Sequence, residues 1–176
     1  MKRICLLSAT CLFFFLPSAQ GQLGLYGGFS AANTNLANEP WLYGATFGGY
    51  YNTLKLPLIN LGIDGRAVIL NGSGSTSQQK IVNGLVGPRA EFHLPLIPLK
   101  PYAAGHLGAS HIAVGQGSAR TDQTVFSYGF AAGVDLTILP RLDWRVAEYA
   151  YTRSNVLGSV NQTTLTTGLV LRLPIP

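Results

Sequence analysis

Cysteine is almost missing from this 176-residue chain: there are two, Cys5 and Cys11, both near the start. Neither a disulfide framework nor a thiolate metal site can be built from the rest. Charge is scarce too, at 11% Asp, Glu, Lys and Arg, and mean hydropathy is positive at +0.26. Beyond the first residues no apolar run approaches the ~20 residues a membrane helix needs. Helical patterning is absent as well, since no segment sustains apolar residues at three-and-four spacing. What remains is abundant glycine (21 residues), many aromatics, and apolar–polar alternation at period two.

The first 21 residues read as a cleaved secretory leader. Lys2 and Arg3 form a positive start, Ile4 to Leu16 an apolar stretch, Pro17-Ser18 a breaker, and Ala19-Gln20-Gly21 a small-residue cut site. Residues 22–176 are then one domain. Without Lys2 and Arg3, ten Lys and Arg face seven Asp and Glu, a net of +3. That charge is mild and scattered, so no basic stripe for nucleic acid exists.

Between Trp41 and Tyr51 the chain reads W-L-Y-G-A-T-F-G-G-Y-Y. Trp41, Tyr43, Ala45, Phe47, Gly49 and Tyr51 share one strand face; Leu42, Gly44, Thr46, Gly48 and Tyr50 share the other, which is mostly small or weakly polar. At ~3.3 Å per residue and a tilt near 40°, the end aromatics lie about 25 Å apart along the membrane normal, the height of the apolar band of an outer-membrane barrel. Turn residues cut the chain into eight strands at roughly 23–31, 41–52, 60–70, 80–94, 101–114, 125–137, 142–153 and 163–173. Their connections alternate. Residues 32–40, 71–79, 115–124 and 154–162 are polar, whereas 53–59, 95–99 and 138–141 are apolar and carry proline. Short turns on one side and longer loops on the other characterise membrane barrels. The expected architecture is an all-β, eight-stranded, antiparallel up-and-down transmembrane barrel. Its polar loops would lie outside the cell and both termini in the periplasm.

Period two assigns the faces. Phe126, Tyr128, Phe130, Ala132, Val134 and Leu136 point outward, as do Leu61, Ile63, Gly65, Ala67 and Ile69, then Val82, Val86, Ala90 and Phe92, and Leu165, Leu169, Leu171 and Leu173. Trp41, Tyr43, Tyr51, Phe126, Tyr128, Trp144, Tyr149 and Tyr151 are the expected interface aromatics. Asp64, Arg66, Arg89, Glu91, Asp135, Glu148 and Arg172 point inward, four acids against three bases. Eight strands leave room only for side chains inside, and an unpaired buried ion costs several kcal/mol, so these seven should form a salt-bridged structural network. Pro88 would remove a ladder hydrogen bond, and a bulge is expected at Gly87-Pro88. Arg145 and Glu148 are an odd number apart; with Glu148 inward, Arg145 should face outward near the periplasmic rim and snorkel.

Other chemistry fares poorly. Glu91 and Asp135 are partners for arginines, with no room for a substrate. His106 and Ser110 share a face at about 13 Å, too far for a nucleophile and its base. His93, His106 and His111 lack metal-ligand spacing, and Asn71-Gly72-Ser73-Gly74-Ser75 lacks the lysine and helix of a phosphate loop. No enzyme activity, cofactor or metal is expected.

Two segments carry a family likeness. Val86-Gly87-Pro88-Arg89 through Lys100-Pro101-Tyr102-Ala103-Ala104-Gly105-His106-Leu107-Gly108 is one hairpin. Phe130-Ala131-Ala132-Gly133-Val134-Asp135 with Leu142-Asp143-Trp144-Arg145-Val146-Ala147-Glu148-Tyr149 is the other. Both resemble the small outer-membrane β-barrel family of OmpA-like, OmpX-like and opacity-protein type. Thr166-x-Gly168-x-x-Leu171-x-Leu173 is similar to the terminal-strand signal of such barrels, departing from it in closing on Pro174-Ile175-Pro176 rather than an aromatic. The resemblance implies a Gram-negative outer-membrane protein, with membrane lipid and the barrel-insertion machinery as partners. A monomer with a structural or surface-interaction role is expected. The alternatives are a narrow pore for small solutes, a lipid-modifying enzyme, and a soluble lipocalin-like barrel with its faces reversed.

Overall fold

A computed structural model describes residues 22–35, 41–73, 78–93, 97–115, 121–155 and 159–174. The expected leader, residues 1–21, and much of each polar connection lie outside them. Eight strands follow in chain order: β1 (Gln22–Thr34), β2 (Leu42–Lys55), β3 (Ile59–Ser73), β4 (Gln78–Phe92), β5 (Leu99–Gly115), β6 (Thr121–Leu139), β7 (Leu142–Ser154) and β8 (Val160–Pro174). Each pairs antiparallel with its sequence neighbours, and β1 pairs with β8 from Gln22–Pro174 to Thr34–Gln162, so the barrel is closed and has no free edge. Every strand except β4, which is shifted to end at Phe92, is longer than its sequence-based range, β6 reaching 19 residues. Closure explains this, because a neighbour on both sides keeps satisfying backbone groups past the point where the apolar alternation fades.

The alternation decides which side is greasy. Phe29, Tyr43, Phe47, Phe126, Phe130, Leu165 and Leu169 are exposed on the outer wall, while Asp64, Arg66, Arg89, Glu91, Asp135 and Glu148 are buried in the lumen. A soluble lipocalin-like arrangement would reverse these sides. Outward rings cluster as well as ring the barrel: Phe29 stacks on Tyr43 at 6.1 Å between centroids, and Phe130 contacts Tyr149 (6.3 Å) and Tyr151 (5.8 Å).

Two backbone expectations are corrected. Gly87-Pro88 forms no bulge. Across β3 the register is continuous through Ile63–Pro88; across β5, Val86–Leu107 and Arg89–Ala104 lie on the same register, and only the two intervening pairs are missing. The ladder there loses rungs without shifting, which is the smallest disturbance a residue without an N–H can cause.

The register shifts lie elsewhere, at Asn52/Leu54 and Thr137/Leu139 near the apolar turns and, within the wall, in β7. Val134 pairs with Ala147 but Asp135 pairs with Arg145, and Arg145–Gly168 shifts to Glu148–Thr166. Val146 and Ala147 are both exposed, so Arg145 turns into the lumen with Glu148 rather than outward to snorkel. Deleting both Val146 and Ala147 would make Arg145 and Glu148 consecutive, so alternation would force one of the two charges into hydrocarbon. The expected result is loss of the folded form, read as identical gel migration of boiled and unboiled protein.

Candidate functional site

The lumen is where the chemistry of this chain collects. Its central tier is ionic. Arg66 on β3 grips Glu148 on β7 with two parallel bonds, Nη1–Oε1 at 2.8 Å and Nη2–Oε2 at 3.2 Å, and reaches Asp64 through Nε at 3.2 Å. Arg145 binds Asp135 (Nε–Oδ1, 3.0 Å) and Glu148 (Nη1–Oε2, 3.1 Å). Arg89 Nη2 holds Glu91 Oε2 at 3.1 Å and Asp135 Oδ2 at 3.3 Å, with Asp64 at 3.8 Å from its Nη1. Fork-shaped guanidinium groups suit this work because each meets two carboxylates at once.

Tyrosines insulate the charges. Arg89 lies between the rings of Tyr50 (4.1 Å to centroid) and Tyr102 (3.7 Å), and Arg145 between Tyr102 (4.7 Å) and Tyr26 (4.2 Å). The result is a column across the barrel, Tyr50–Arg89–Tyr102–Arg145–Tyr26, of alternating phenol and guanidinium. Its hydroxyls work too: Tyr26 donates to Asp64 Oδ1 at 3.0 Å, and Tyr102 donates to Glu148. Room for the rings comes from glycine. A Cβ on Gly133 would lie 2.6 Å from the Tyr102 oxygen, and one on Gly24 would lie 2.7 Å from that of Tyr50. His106 Nε2 donates to Asp64 Oδ1 at 3.0 Å.

Toward the apolar turns, Asp143 joins Lys100 (3.1 Å) and Arg172 (2.8 Å). Arg172 is thus inward but sits apart from the other six residues expected in the network. Glu91 is held by Arg89 at the edge of the central tier, and His93 lies half-exposed at the rim, 3.8 Å from Glu91. Counting Lys100, Asp143 and Arg145, the described interior holds five acids and five bases, not four and three. Lys100 shares the face of Tyr102 and His106 by simple alternation. Asp143 shares that of Arg145, so the bulge that hid one hid both.

Toward the polar connections the lumen changes character. Ser30 bonds Thr46 (2.6 Å) and Thr166 (2.9 Å), and Ser127 bonds Ser110 (2.6 Å) and Ser154 (2.7 Å). Above these hydroxyls Leu42, Val68, Leu70, Ile81, Ile112 and Val160 pack into a buried apolar cap. The cap is absent from the sequence reading, although Val68, Leu70, Ile81 and Ile112 occupy the inward parity of their strands. A void of about 10 Å³ between cap and charges, against Arg66, Leu85, Glu148 and Gln162, has space for one water at most.

The eight aromatics expected at the membrane interfaces all point outward. Seven are exposed and Tyr151 is half-covered by its neighbours; Tyr51 and Trp144 stand nearer the turn end. Among the described residues no group of three or more His, Cys, Asp and Glu could hold a metal ion. No described helix crosses a membrane; the strands are the spanning elements.

A closed eight-stranded meander with an apolar outer wall and ion pairs inside defines a membrane-spanning β-barrel. The chain belongs to the outer membrane protein beta-barrel domain family, whose pattern matches residues 5–172. Among solved structures it is similar to Ail, the attachment invasion locus protein of Yersinia pestis, at 15% identity and a TM-score of 0.60, covering 88% of this chain and 99% of that one. Neisserial surface protein A is similar at 18% identity and 0.60, covering 87% and 97%. The N-terminal barrel domain of OprF from Pseudomonas aeruginosa follows at 11% and 0.51, covering 89% and 100%. At these identities the likeness is one of fold. No curated protein sequence matches the chain.

Proposed function

We propose that this protein is a non-conducting barrel of the bacterial outer membrane with a structural and surface-display role. Its four polar connections would lie outside the cell and its apolar turns and both ends in the periplasm. The observation that carries the reading is the lumen, filled by a charge-balanced ionic column beneath an apolar cap. Passage of a solute would require Arg66–Glu148 and Arg145–Asp135 to separate, leaving buried ions unpaired at several kcal/mol each, and the cap to part as well. The barrel would act as a monomer surrounded by lipid. The outward leucines of β8, Leu169 and Leu171, support insertion by the machinery that reads terminal strands.

No catalytic role is assigned. His106 is held by Asp64 and Ser110 by Ser127, both inside the barrel and away from lipid or solvent. Planar-bilayer recording on the purified mature protein tests the reading. The expected trace shows no steady open level; sustained large conductance from folded protein would favour the pore instead.

A further inference from the structure

The outer wall is bare in one place. On β4 and β5 the outward rows carry Pro88, Ala103 and Gly105, where neighbouring strands carry rings and leucines. A trough of about 530 Å³ runs over Gly87, Pro88 and Gly105. Leu107 flanks it on one side, and Tyr128, Phe130 and Tyr151 form the other. Its floor is the stretch where the β4–β5 ladder lacks two rungs. A Cβ added at Gly105 meets nothing within 4 Å.

We propose that this trough binds one acyl chain of a membrane lipid and keeps it as a resident on the barrel. Its volume falls within the ~300–1,000 Å³ of ordinary ligand sites. It is continuous with the outward apolar band, Val86, Leu107 and Phe130, so the phase that reaches it is hydrocarbon. The one titratable side chain beneath it, His106, is turned to Asp64 inside the barrel. With no charged group on its walls, the trough selects for the chain of a lipid and not for its headgroup. The Phe130–Tyr151 contact, 5.8 Å between centroids, makes one wall a pair of braced rings. A site already shaped avoids much of the ordering cost that a flexible surface would impose. The proposal needs the outer wall to face lipid but not that the lumen be closed, so it stands or falls apart from the conductance experiment.

The test is native mass spectrometry of the full mature barrel, released from detergent after incubation with dimyristoyl phosphatidylglycerol. Wild-type protein is expected to retain one lipid after looser ones are stripped. Gly105→Leu, which fills the trough, should lower the retained fraction at least about tenfold, equivalent to ~1.4 kcal/mol. Gly27→Leu adds the same side chain to exposed β1, where a Cβ also meets nothing within 4 Å, and should retain the lipid. Each variant is checked for the gel shift of a folded barrel; should Gly105→Leu not fold, Phe130→Ala, which removes a wall, should reduce retention in its place. No retained lipid in wild type, equal retention in all variants, or retention of a second barrel in the lipid's stead would overturn the proposal.

Discussion

Glu148→Ala is expected to destabilise the barrel by about 3–5 kcal/mol, the cost of breaking a buried ion pair by removing one partner. Glu148 is the junction of the lumen: Arg66 grips it with two bonds, Arg145 adds a third, and Tyr102 donates its hydroxyl. Arg145 keeps Asp135 after the change and Arg66 keeps Asp64, so the excess charge is shared and not stranded on one group. Two guanidinium groups would still face an emptied site with no solvent to reach them. Urea unfolding in lipid vesicles, followed by the gel shift of unboiled protein, reads the loss directly. The double change Arg66→Met with Glu148→Leu should recover much of it, because replacing a buried pair by apolar groups of similar volume is often near neutral. A loss below about 1 kcal/mol in the single variant would mean that water screens these charges, and the closed-lumen reading would fail with it.

Much of this architecture was legible because one physical pattern wrote it. A two-sided strand between hydrocarbon and a packed polar core must alternate without lapse, so Trp41 to Tyr51, Phe126 to Leu136 and Leu165 to Leu173 display their faces openly. Glycine and proline between them mark the turns. Pairing was not legible. That Arg66 reaches Glu148, 82 residues away, follows from barrel closure and from a side-chain length that spans the lumen, neither of which leaves a local trace.

The failures are just as physical. Pro88 looks like a bulge residue because it cannot complete a ladder, yet a closed barrel holds its register from both sides and simply forgoes the bond. Arg145 looks outward because parity is strict until one residue is inserted. The insertion at Val146-Ala147 carries no marker of its own, since both residues are ordinary on a lipid-facing wall. Tyr26 and Tyr102 were hidden by chemistry, and so was the arginine partner of Tyr50, whose inner face alternation already gave: tyrosine belongs equally at a membrane interface and against a buried arginine. Only the glycines opposite them, Gly48, Gly24 and Gly133, hinted that rings were being accommodated inside. The apolar cap hid for the same reason, because Leu70 and Ile81 look like lipid-facing residues until their parity is counted.

Phe47→Arg is expected to cost about 2–4 kcal/mol, the penalty for arginine on the lipid face near the bilayer midplane. Phe47 stands midway along the outward row from Trp41 to Tyr51, opposite Gly27 on β1 and Ala67 on β3, and is 47% exposed. In a soluble protein an arginine at so open a position would change stability by no more than about 0.5 kcal/mol. In lipid no such freedom exists, because the guanidinium must reach an interface about half the bilayer away or draw water down to itself. The same change at Tyr43, one strand repeat from the end aromatic, should cost only about 0–1 kcal/mol, since the penalty falls toward the interfaces. The gradient between the two positions, measured by urea unfolding of protein folded into vesicles, therefore reports depth and not merely exposure. Equal, small costs at both would place water against the outer wall. The leucines and rings around the barrel would then need another partner to explain why they face away from their own core.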